Sequence, residues 1–254
     1  MVDAVSSNAT ATDRDIRSQA QKARAASRLI QSLDVSIRQN ILRKFAESLN
    51  NRSIREQILQ QNKLDTDAVQ NDNKMSTSMK ARLVLNDKKL STCADGMVQL
   101  SQSPDPIGRI IRRTQLANNV ELQQITVPLG VLLIIFEARP EVLPQLVALA
   151  IESGNGLLLK GGKETTHSLN ILYKLACDAI DSGSNGQIKG NELVVLLSGR
   201  SEVDELLKCD DVIDERNQQQ VEYEFQLHKA KLECDELKSE LYKYRKLQEP
   251  DIIE

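Results

Sequence analysis

The sequence contains no tryptophan, and aromatic residues of all kinds make up only 3% of its 254 residues. Aromatic side chains form the platforms on which single-stranded nucleic acids stack, so this scarcity argues against that class of protein. Positive charge is not in surplus either, because 33 lysines and arginines face 36 acidic residues, which gives a net charge of −3. We therefore expect no nucleic-acid partner.

Long hydrophobic runs are also missing. The longest, LGVLLIIF at residues 129–136, is far shorter than the ~20 residues that a helix needs to cross a membrane, so it predicts a buried strand and no membrane contact. The amino terminus, MVDAVSSNATATDRD, has neither the apolar segment of a secretory signal nor the acid-poor composition of a transit peptide. These features favour a cytoplasmic protein, with mitochondria as the alternative compartment, and we expect residues 1–12 to be disordered.

Cysteine and histidine are too few and too scattered to indicate a metal site. The residues are Cys93, Cys177, Cys209, Cys234, His167 and His228. No two cysteines have the paired spacing of a zinc site, and neither histidine joins them. We therefore expect no metal. Unpaired thiols of this kind are typical of a reducing compartment.

The chain does show a change of pattern along its length. Residues 13–103 have helical periodicity, in which apolar residues such as Ile37, Ile41 and Phe45 recur on one face. Residues 104–128 contain two β-rich runs, RIIRRTQL and VELQQITV, on either side of Ala-Asn-Asn. Because asparagine tolerates the left-handed backbone of tight turns, this segment predicts a β-hairpin.

Residues 129–214 alternate apolar strands with amphipathic helices. The predicted elements are, in order, strand 131–136, helix 142–152, strand 157–159, helix 164–181, strand 193–197 and helix 202–207. Continuous apolar strands between helices are typical of a parallel sheet that is covered on both faces, so the predicted fold class is α/β. Residues 212–214, Val-Ile-Asp, start like a fourth strand, but we expect no strand to form there.

Residues 215–254 contain no glycine and one late proline. Seven residues recur at alternating spacings of four and three, the period of a coiled-coil seam. They are Tyr223, Leu227, Ala230, Cys234, Leu237, Leu241 and Tyr244. The heptads are few and the seam includes tyrosine, alanine and cysteine, so a solvated single helix is an equally good alternative. The prediction is a helical tail that is weakly coiled-coil-like.

Glycines and lysines cluster in SGNGLLLKGGKE, residues 153–164. The dinucleotide fingerprint does not fit, because its third glycine would fall on Leu159. The nucleotide-triphosphate loop does not fit either, because its hydroxyl position is occupied by Glu164. The pattern predicts a turn, a buried strand, and a loop at the carboxyl end of that strand, where ligands bind in open α/β sheets. In the alternative interpretation the glycines only make tight turns.

Three long motifs carry a resemblance to a known family: DPIGRIIRRTQLANNVELQQITVPLGVLLIIFEARP, ALAIESGNGLLLKGGKE and SGRSEVDELLKCDDVID, between residues 105 and 214. This run closely resembles γ-glutamyl phosphate reductase (glutamate-5-semialdehyde dehydrogenase), in particular the reductase half of bifunctional Δ1-pyrroline-5-carboxylate synthase. The helices from about Arg14 onward are similar to the amino-terminal helices of that family. The resemblance implies an aldehyde-dehydrogenase-like fold with a Rossmann-like parallel sheet. It also implies NADPH-dependent reduction of γ-glutamyl phosphate in proline biosynthesis.

The resemblance further implies a set of cofactor-binding residues. They are Arg139, Pro140, Lys160, Gly161, Gly162, Glu164, Ser198 and Gly199. Lys160 is implied to face the adenosine ribose and its 2′-phosphate, where an ammonium gains a charge-assisted hydrogen bond. Glu164 is implied to contact the ribose, and Ser198 and Gly199 to lie near the adenine. Arg139 is implied to face a substrate carboxylate or phosphate, although an arginine after a strand is nearly as often a surface ion-pair partner.

The chemistry of the family requires a cysteine thiolate that attacks the acyl phosphate and forms a thioester, which a hydride then reduces. In the family, this cysteine lies in a catalytic domain beyond the cofactor domain, whereas the present chain departs from the family pattern at Asp214. None of the four cysteines can be assigned that role. We therefore expect no catalytic residue here, and a truncated cofactor domain.

Two hypotheses about function follow. In the first, the chain is a reductase relative that is catalytically incomplete. In the second, it is a non-catalytic interaction or regulatory module that associates, through its hairpin and helical tail, with a full-length paralogue or another partner. The sheet edge left without a fourth strand also predicts association with further copies of the chain, because exposed edges pair with other strands.

Overall fold

The structure, a computed structural model, describes residues 11–70, 75–208, 213 and 215–217. Five helices come first: α1 (Ala11–Ser32), α2 (Val35–Asn50), α3 (Arg52–Val69), α4 (Thr77–Leu83) and α5 (Asp87–Ser101). At the start of α2 to α5, a side-chain oxygen accepts a hydrogen bond from a backbone N–H group. Each bond satisfies a donor that has no partner within the helix. These cap residues are Asp34, Asn51, Ser76 and Asn86. The predicted helical region is confirmed, and α1 begins two residues before the predicted boundary.

An antiparallel ribbon of two strands follows the helices, β1 (Ile110–Ala117) and β2 (Val120–Ile125). Asn119, in the turn, has a φ of 64°, in the left-handed region that asparagine adopts more readily than most residues. The predicted hairpin is confirmed. Almost all of its residues are exposed on both faces of the ribbon.

The rest of the described chain alternates strands and helices around a second sheet. Its elements are β3 (Val131–Ile135), α6 (Val142–Ser153), β4 (Gly156–Lys160), a 3₁₀ turn (Lys163–Thr165), α7 (Thr166–Gly183), α8 (Gly190–Leu193), β5 (Val194–Leu196), α9 (Arg200–Leu206) and β6 (Glu215–Asn217). The strand order is β5-β4-β3-β6. Strands β3, β4 and β5 are parallel, as predicted.

Strand β6 corrects one expectation. The sequence predicts no fourth strand after Val212, but a strand of three residues, Glu215–Asn217, lies next to β3 in the sheet order. Its side chains are polar, so hydrophobic alternation gives no signal for it. Backbone pairing with a neighbouring strand is sufficient to form such a short strand, since strand preference depends strongly on context.

Both faces of the sheet are covered. Leu157 and Leu159 of β4 pack into one hydrophobic cluster with α2, α5, α6 and α7, and Leu158 packs into a second cluster with α1 and α9. The two clusters lie on opposite faces because successive side chains of a strand point in opposite directions. The predicted two-sided burial is confirmed.

The first half of SGNGLLLKGGKE lies at the amino end of the sheet. Gly154 ends α6 with a φ of 71°, and the Asn155 side chain accepts the Gly130 N–H at 2.8 Å. A Cβ on Gly156 would lie 2.7 Å from the Ala23 carbonyl oxygen, so α1 packs directly on the backbone of β4. Gly154 therefore forms a turn, and Gly156 allows close packing with α1. The second half of the motif lies at the opposite edge of the sheet, where the strands have their carboxyl ends.

Candidate functional site

The carboxyl ends of β3, β4 and β5 meet at one edge of the sheet, because the three strands are parallel and in register. The Phe136 N–H donates to the Lys160 carbonyl at 3.0 Å, and the Leu197 N–H donates to the Leu159 carbonyl at 2.8 Å. The three following segments therefore start side by side. We call them the first loop (residues 136–141), the second loop (residues 161–165) and the third loop (residues 197–199).

The predicted cofactor-binding residues all fall at this edge, although they come from three separate parts of the sequence. They are Arg139 and Pro140 in the first loop, Lys160 at the end of β4, Gly161, Gly162 and Glu164 in the second loop, and Ser198 and Gly199 in the third. Ligands of open α/β sheets bind beyond the carboxyl ends of the strands. The edge is therefore the candidate functional site.

Lys160 is half-buried at the centre of this edge. Its Nζ donates a hydrogen bond to the Gly161 carbonyl oxygen. Within the described ranges, no carboxylate lies within 4.0 Å of that Nζ. An ammonium with a neutral carbonyl as its partner can still form a charge-assisted bond to an anion.

The second loop contains two glycines that make room for neighbouring side chains. A Cβ on the buried Gly161 would lie 2.0 Å from Leu169 Cδ1, so this residue packs against α7. A Cβ on Gly162 would lie 2.0 Å from Glu164 Oε1. The Glu164 carboxylate thus folds back over the Gly162 backbone, and it accepts the Ala138 N–H at 2.7 Å. This contact joins the second loop to the first.

The first loop has an unusual backbone. Ala138 is buried and has a φ of 50°, a left-handed conformation that is uncommon outside glycine. Pro140 is buried, whereas the Arg139 side chain is exposed. Glu141 forms an ion pair with Lys89 at 3.0 Å, which ties the end of the loop to α5. Arg139 forms no such ion pair with the described part of the chain.

The third loop is held by a residue that the sequence analysis did not identify. Glu202 Oε2 accepts the Ser198 N–H at 2.7 Å and the Gly199 N–H at 3.2 Å. Both amides that precede α9 are therefore bound within the chain. The signal was available, because a glutamate three residues after an N-cap position is one half of a capping box.

A second unpredicted residue fixes the start of α7, directly after the second loop. The Asp65 carboxylate, on α3, accepts the Ser168 N–H at 2.8 Å, the Ser168 hydroxyl at 2.6 Å and the His167 N–H at 3.0 Å. A negative charge at this position complements the positive end of the helix dipole. Asn62 donates to the same hydroxyl at 3.0 Å. The amino-terminal helices therefore determine where the second loop ends.

The two described cysteines are free thiols on helices, Cys93 on α5 and Cys177 on α7. Burial raises the pKa of the Cys93 thiol, and it raises the pKa of the Cys177 thiol to about 11. The thiolate is the nucleophilic form of cysteine, so a raised pKa makes both thiols poor nucleophiles. Cys209, Cys234 and the predicted heptad seam lie outside the described residues.

No described helix combines the length and apolar character that a membrane span requires. In the same part of the chain, no cluster of three or more histidine, cysteine, aspartate or glutamate side chains is placed to hold a metal ion.

Comparison with known proteins finds relatives, although no protein-family model matches the chain. Delta-1-pyrroline-5-carboxylate synthase A of Arabidopsis thaliana is 42% identical over 203 residues, which are 80% of this chain and 27% of that protein. The structure of γ-glutamyl phosphate reductase from Saccharomyces cerevisiae matches with a TM-score of 0.70 and 31% identity, over 79% of this chain and 51% of that one. A NAD-dependent aldehyde dehydrogenase from Sinorhizobium meliloti matches with a TM-score of 0.57 and 19% identity, over 80% of this chain and 37% of that one.

The fold is like that of aldehyde dehydrogenases, which confirms the predicted α/β fold class. The chain is related to γ-glutamyl phosphate reductase and Delta-1-pyrroline-5-carboxylate synthase, so the resemblance carried by FEARP and SGNGLLLKGGKE is confirmed. The chain spans 27% of the length of the Arabidopsis relative.

Proposed function

We propose that the chain binds NADPH at the carboxyl edge of its sheet, with Lys160 paired to the 2′-phosphate of the adenosine ribose. The observation that carries the proposal is the half-buried Lys160 ammonium, which no carboxylate of the described residues neutralises. The relationship to nicotinamide-dependent enzymes, such as the NAD-dependent aldehyde dehydrogenase above, supports a cofactor of this class.

The other residues of the edge take supporting parts in this proposal. Gly161 and Gly162 let Leu169 and the Glu164 carboxylate pack against the backbone of the second loop, which shapes this wall of the site. Ser198 and Gly199 would lie beside the adenine, and their amides are not assigned to a phosphate because Glu202 already accepts a hydrogen bond from each. Pro140 is part of the buried floor of the first loop.

Isothermal titration calorimetry with the full chain tests the proposal. Replacing Lys160 by alanine should weaken NADPH binding by about fivefold, because a partly exposed charge pair contributes up to about 1 kcal/mol. Lys163→Ala is the matched control, since it removes the same charge from an exposed position three residues away and should leave affinity within about twofold. Equal NADPH affinity in the parent and in Lys160→Ala would show that Lys160 is not a cofactor ligand.

The substrate class follows from the same relationship. In the proposal, γ-glutamyl phosphate is the substrate of the complete reaction, NADPH supplies the hydride when it is bound, and Arg139 faces a carboxylate or phosphate of the substrate from its exposed position. The 254-residue chain alone offers no described thiol that is suited to attack an acyl phosphate. We therefore propose that this polypeptide binds cofactor without completing the reduction. The proposed compartment is the cytoplasm, with mitochondria as the alternative.

An assay of purified chain for NADPH oxidation in the presence of γ-glutamyl phosphate tests this part. The expected result is no oxidation above a control without substrate, because neither described cysteine is suited to the nucleophilic attack that the acyl-transfer step needs. Sustained formation of glutamate 5-semialdehyde by the chain alone would contradict it.

A second candidate function, an interaction module, is favoured by the exposed ribbon. Large apolar residues of β1 and β2 are between 42% and 63% exposed: Ile110, Ile111, Leu116, Val120, Leu122 and Ile125. A concentration of exposed apolar side chains marks an interaction surface more often than a chance arrangement does. In this candidate, the ribbon packs against a further copy of the chain or a full-length paralogue.

Light scattering over a range of protein concentrations tests the second candidate. The parent chain is expected to form oligomers, and Leu122→Lys should shift it to smaller species because a charge would have to be buried in the contact. Gln123→Lys is the matched control, since it adds the same charge to the next residue, on the other face of the ribbon. A parent chain that stays monomeric at every concentration would exclude a further copy of the chain as the partner of the ribbon.

A further inference from the structure

The geometry points to Glu164 as a positioning residue whose carboxylate, seated over Gly162, holds the first loop through the Ala138 N–H and so fixes the place of Arg139. This inference rests on the proposed cofactor site, because the loop it fixes is one wall of that site. It differs from the implied ribose contact of Glu164, since the carboxylate is here engaged with the protein backbone at 2.7 Å.

The Ala138 N–H, which is the donor in this contact, needs a hydrogen-bond acceptor. Ala138 is 3% exposed, so its N–H lies in a place where water reaches poorly, and buried N–H groups are almost always hydrogen-bonded. Its left-handed φ of 50° turns the backbone sharply after β3. A non-glycine residue keeps such a conformation only where its surroundings hold it. Glu164 supplies a charged acceptor at that point.

Gly162 leaves the space that the Glu164 carboxylate occupies. A Cβ at that position would lie 2.0 Å from Oε1, 2.3 Å from Oε2 and 2.4 Å from Cδ of Glu164. The φ of Gly162 is −68°, which any residue can adopt. The glycine is therefore required for space, and any larger residue would expel the carboxylate from its seat.

The contact spans two strands of the sheet. Ala138 follows β3 and Glu164 follows β4, and their hydrogen bond connects residues that are 26 positions apart in the chain. Arg139 comes directly after Ala138, so the position of its backbone depends on this bond. The second loop can thus transmit any displacement of Glu164 to Arg139, the group proposed to face the substrate.

Amide hydrogen exchange of the full chain without cofactor, followed by NMR, tests the inference. Glu164→Ala and Gly162→Ala should each speed the exchange of the Ala138 amide by about tenfold or more, because each removes a charged acceptor from it. Glu164→Gln keeps an acceptor oxygen and should change that rate by no more than about threefold. Lys163→Ala, the exposed neighbour, should leave it unchanged.

The Leu158 amide, in the buried centre of β4, reports on the sheet itself. If its exchange rises in parallel with that of Ala138, the variants act through global unfolding and the inference fails. An Ala138 rate that is the same in the parent, Glu164→Ala and Gly162→Ala also overturns it. Both outcomes are independent of whether the chain binds NADPH.

Calorimetry with NADPH on the same variants separates positioning from ribose binding. A positioning role predicts that Glu164→Gln keeps the affinity of the parent, whereas Glu164→Ala and Gly162→Ala both lose it. A ribose contact made by the carboxylate itself predicts that Glu164→Gln loses affinity as well, with no change in the exchange of Ala138, and this pair of results would refute the inference. If no variant and no parent binds NADPH while the exchange pattern holds, the cofactor proposal fails and the positioning role stands.

Discussion

Replacing Asp65 by alanine should destabilise the protein more than the position of this residue on a surface helix suggests. The substitution removes the acceptor of three hydrogen bonds, two from backbone N–H groups at the start of α7 and one from the Ser168 hydroxyl. Ser168 is fully buried, so its N–H would be left without a partner. The start of α7 would then be free to move, and with it the second loop.

The magnitude follows from the nature of these contacts. A hydrogen bond to a charged group contributes about 1.5–3 kcal/mol, and contributions that share one acceptor are not additive. The helix dipole adds about 0.3–1 kcal/mol. The Ser168 hydroxyl keeps its bond from Asn62, which limits the loss. We therefore expect Asp65→Ala to lower the free energy of unfolding by about 3–4 kcal/mol, and Asp65→Asn, which keeps one acceptor oxygen, by about half as much.

Urea unfolding of the parent and the variants, followed by circular dichroism, measures this difference. Asp67→Ala is the matched control, because Asp67 lies on the same helix but is exposed; it should change the free energy by no more than about 0.5 kcal/mol. An Asp65→Ala variant whose stability stays within about 0.5 kcal/mol of the parent would refute the reasoning, since it would mean that the carboxylate does not hold α7.

Three further predictions concern packing and charge. Gly156→Ala should lower the melting temperature and cost about 1–3 kcal/mol, because its Cβ would lie 2.7 Å from the Ala23 carbonyl oxygen. Arg38→Ala should cost about 2 kcal/mol in urea unfolding, because it removes the charged hydrogen bond of a buried guanidinium, 2.6 Å long, to the partly exposed Asp105 Oδ2. Burial raises the pKa of Glu152 above 4.5, so the folded state binds this proton more tightly than the unfolded state. The resulting stability is present below the unfolded pKa and is lost as pH rises through the folded pKa; Glu152→Gln should remove that decline in unfolding curves measured from acid to neutral pH.

Much of the fold could be predicted because local patterns in the sequence indicate it. The apolar runs of β3 and β4 and the amphipathic period of α7 report burial directly, and Asn119 marks the hairpin turn. The edge of the sheet that carries the candidate site follows from parallel topology alone. By contrast, β6 gave no hydrophobic signal, because it is a short polar strand that depends on a neighbour.

Long-range hydrogen bonds account for what the sequence could not predict in the site. The bond between Asp65 and Ser168 joins residues 103 positions apart, and nothing in the local pattern around either residue indicates the other. The same holds for the seat of Glu164 over Gly162, because its direction depends on the Ala138 amide across the sheet edge. Periodicity places a residue on an element, whereas the partner of its side chain depends on tertiary packing.

The proposed contact between Lys160 and the 2′-phosphate of NADPH can be measured in a thermodynamic cycle that removes the lysine charge and the phosphate in turn. Calorimetry would compare 2′,5′-ADP with 5′-ADP, which lacks that phosphate, on the parent chain and on Lys160→Ala. We expect the parent to prefer 2′,5′-ADP and Lys160→Ala to lose the preference, with a coupling energy of about 1 kcal/mol. The same preference in both proteins, or none in either, would contradict it.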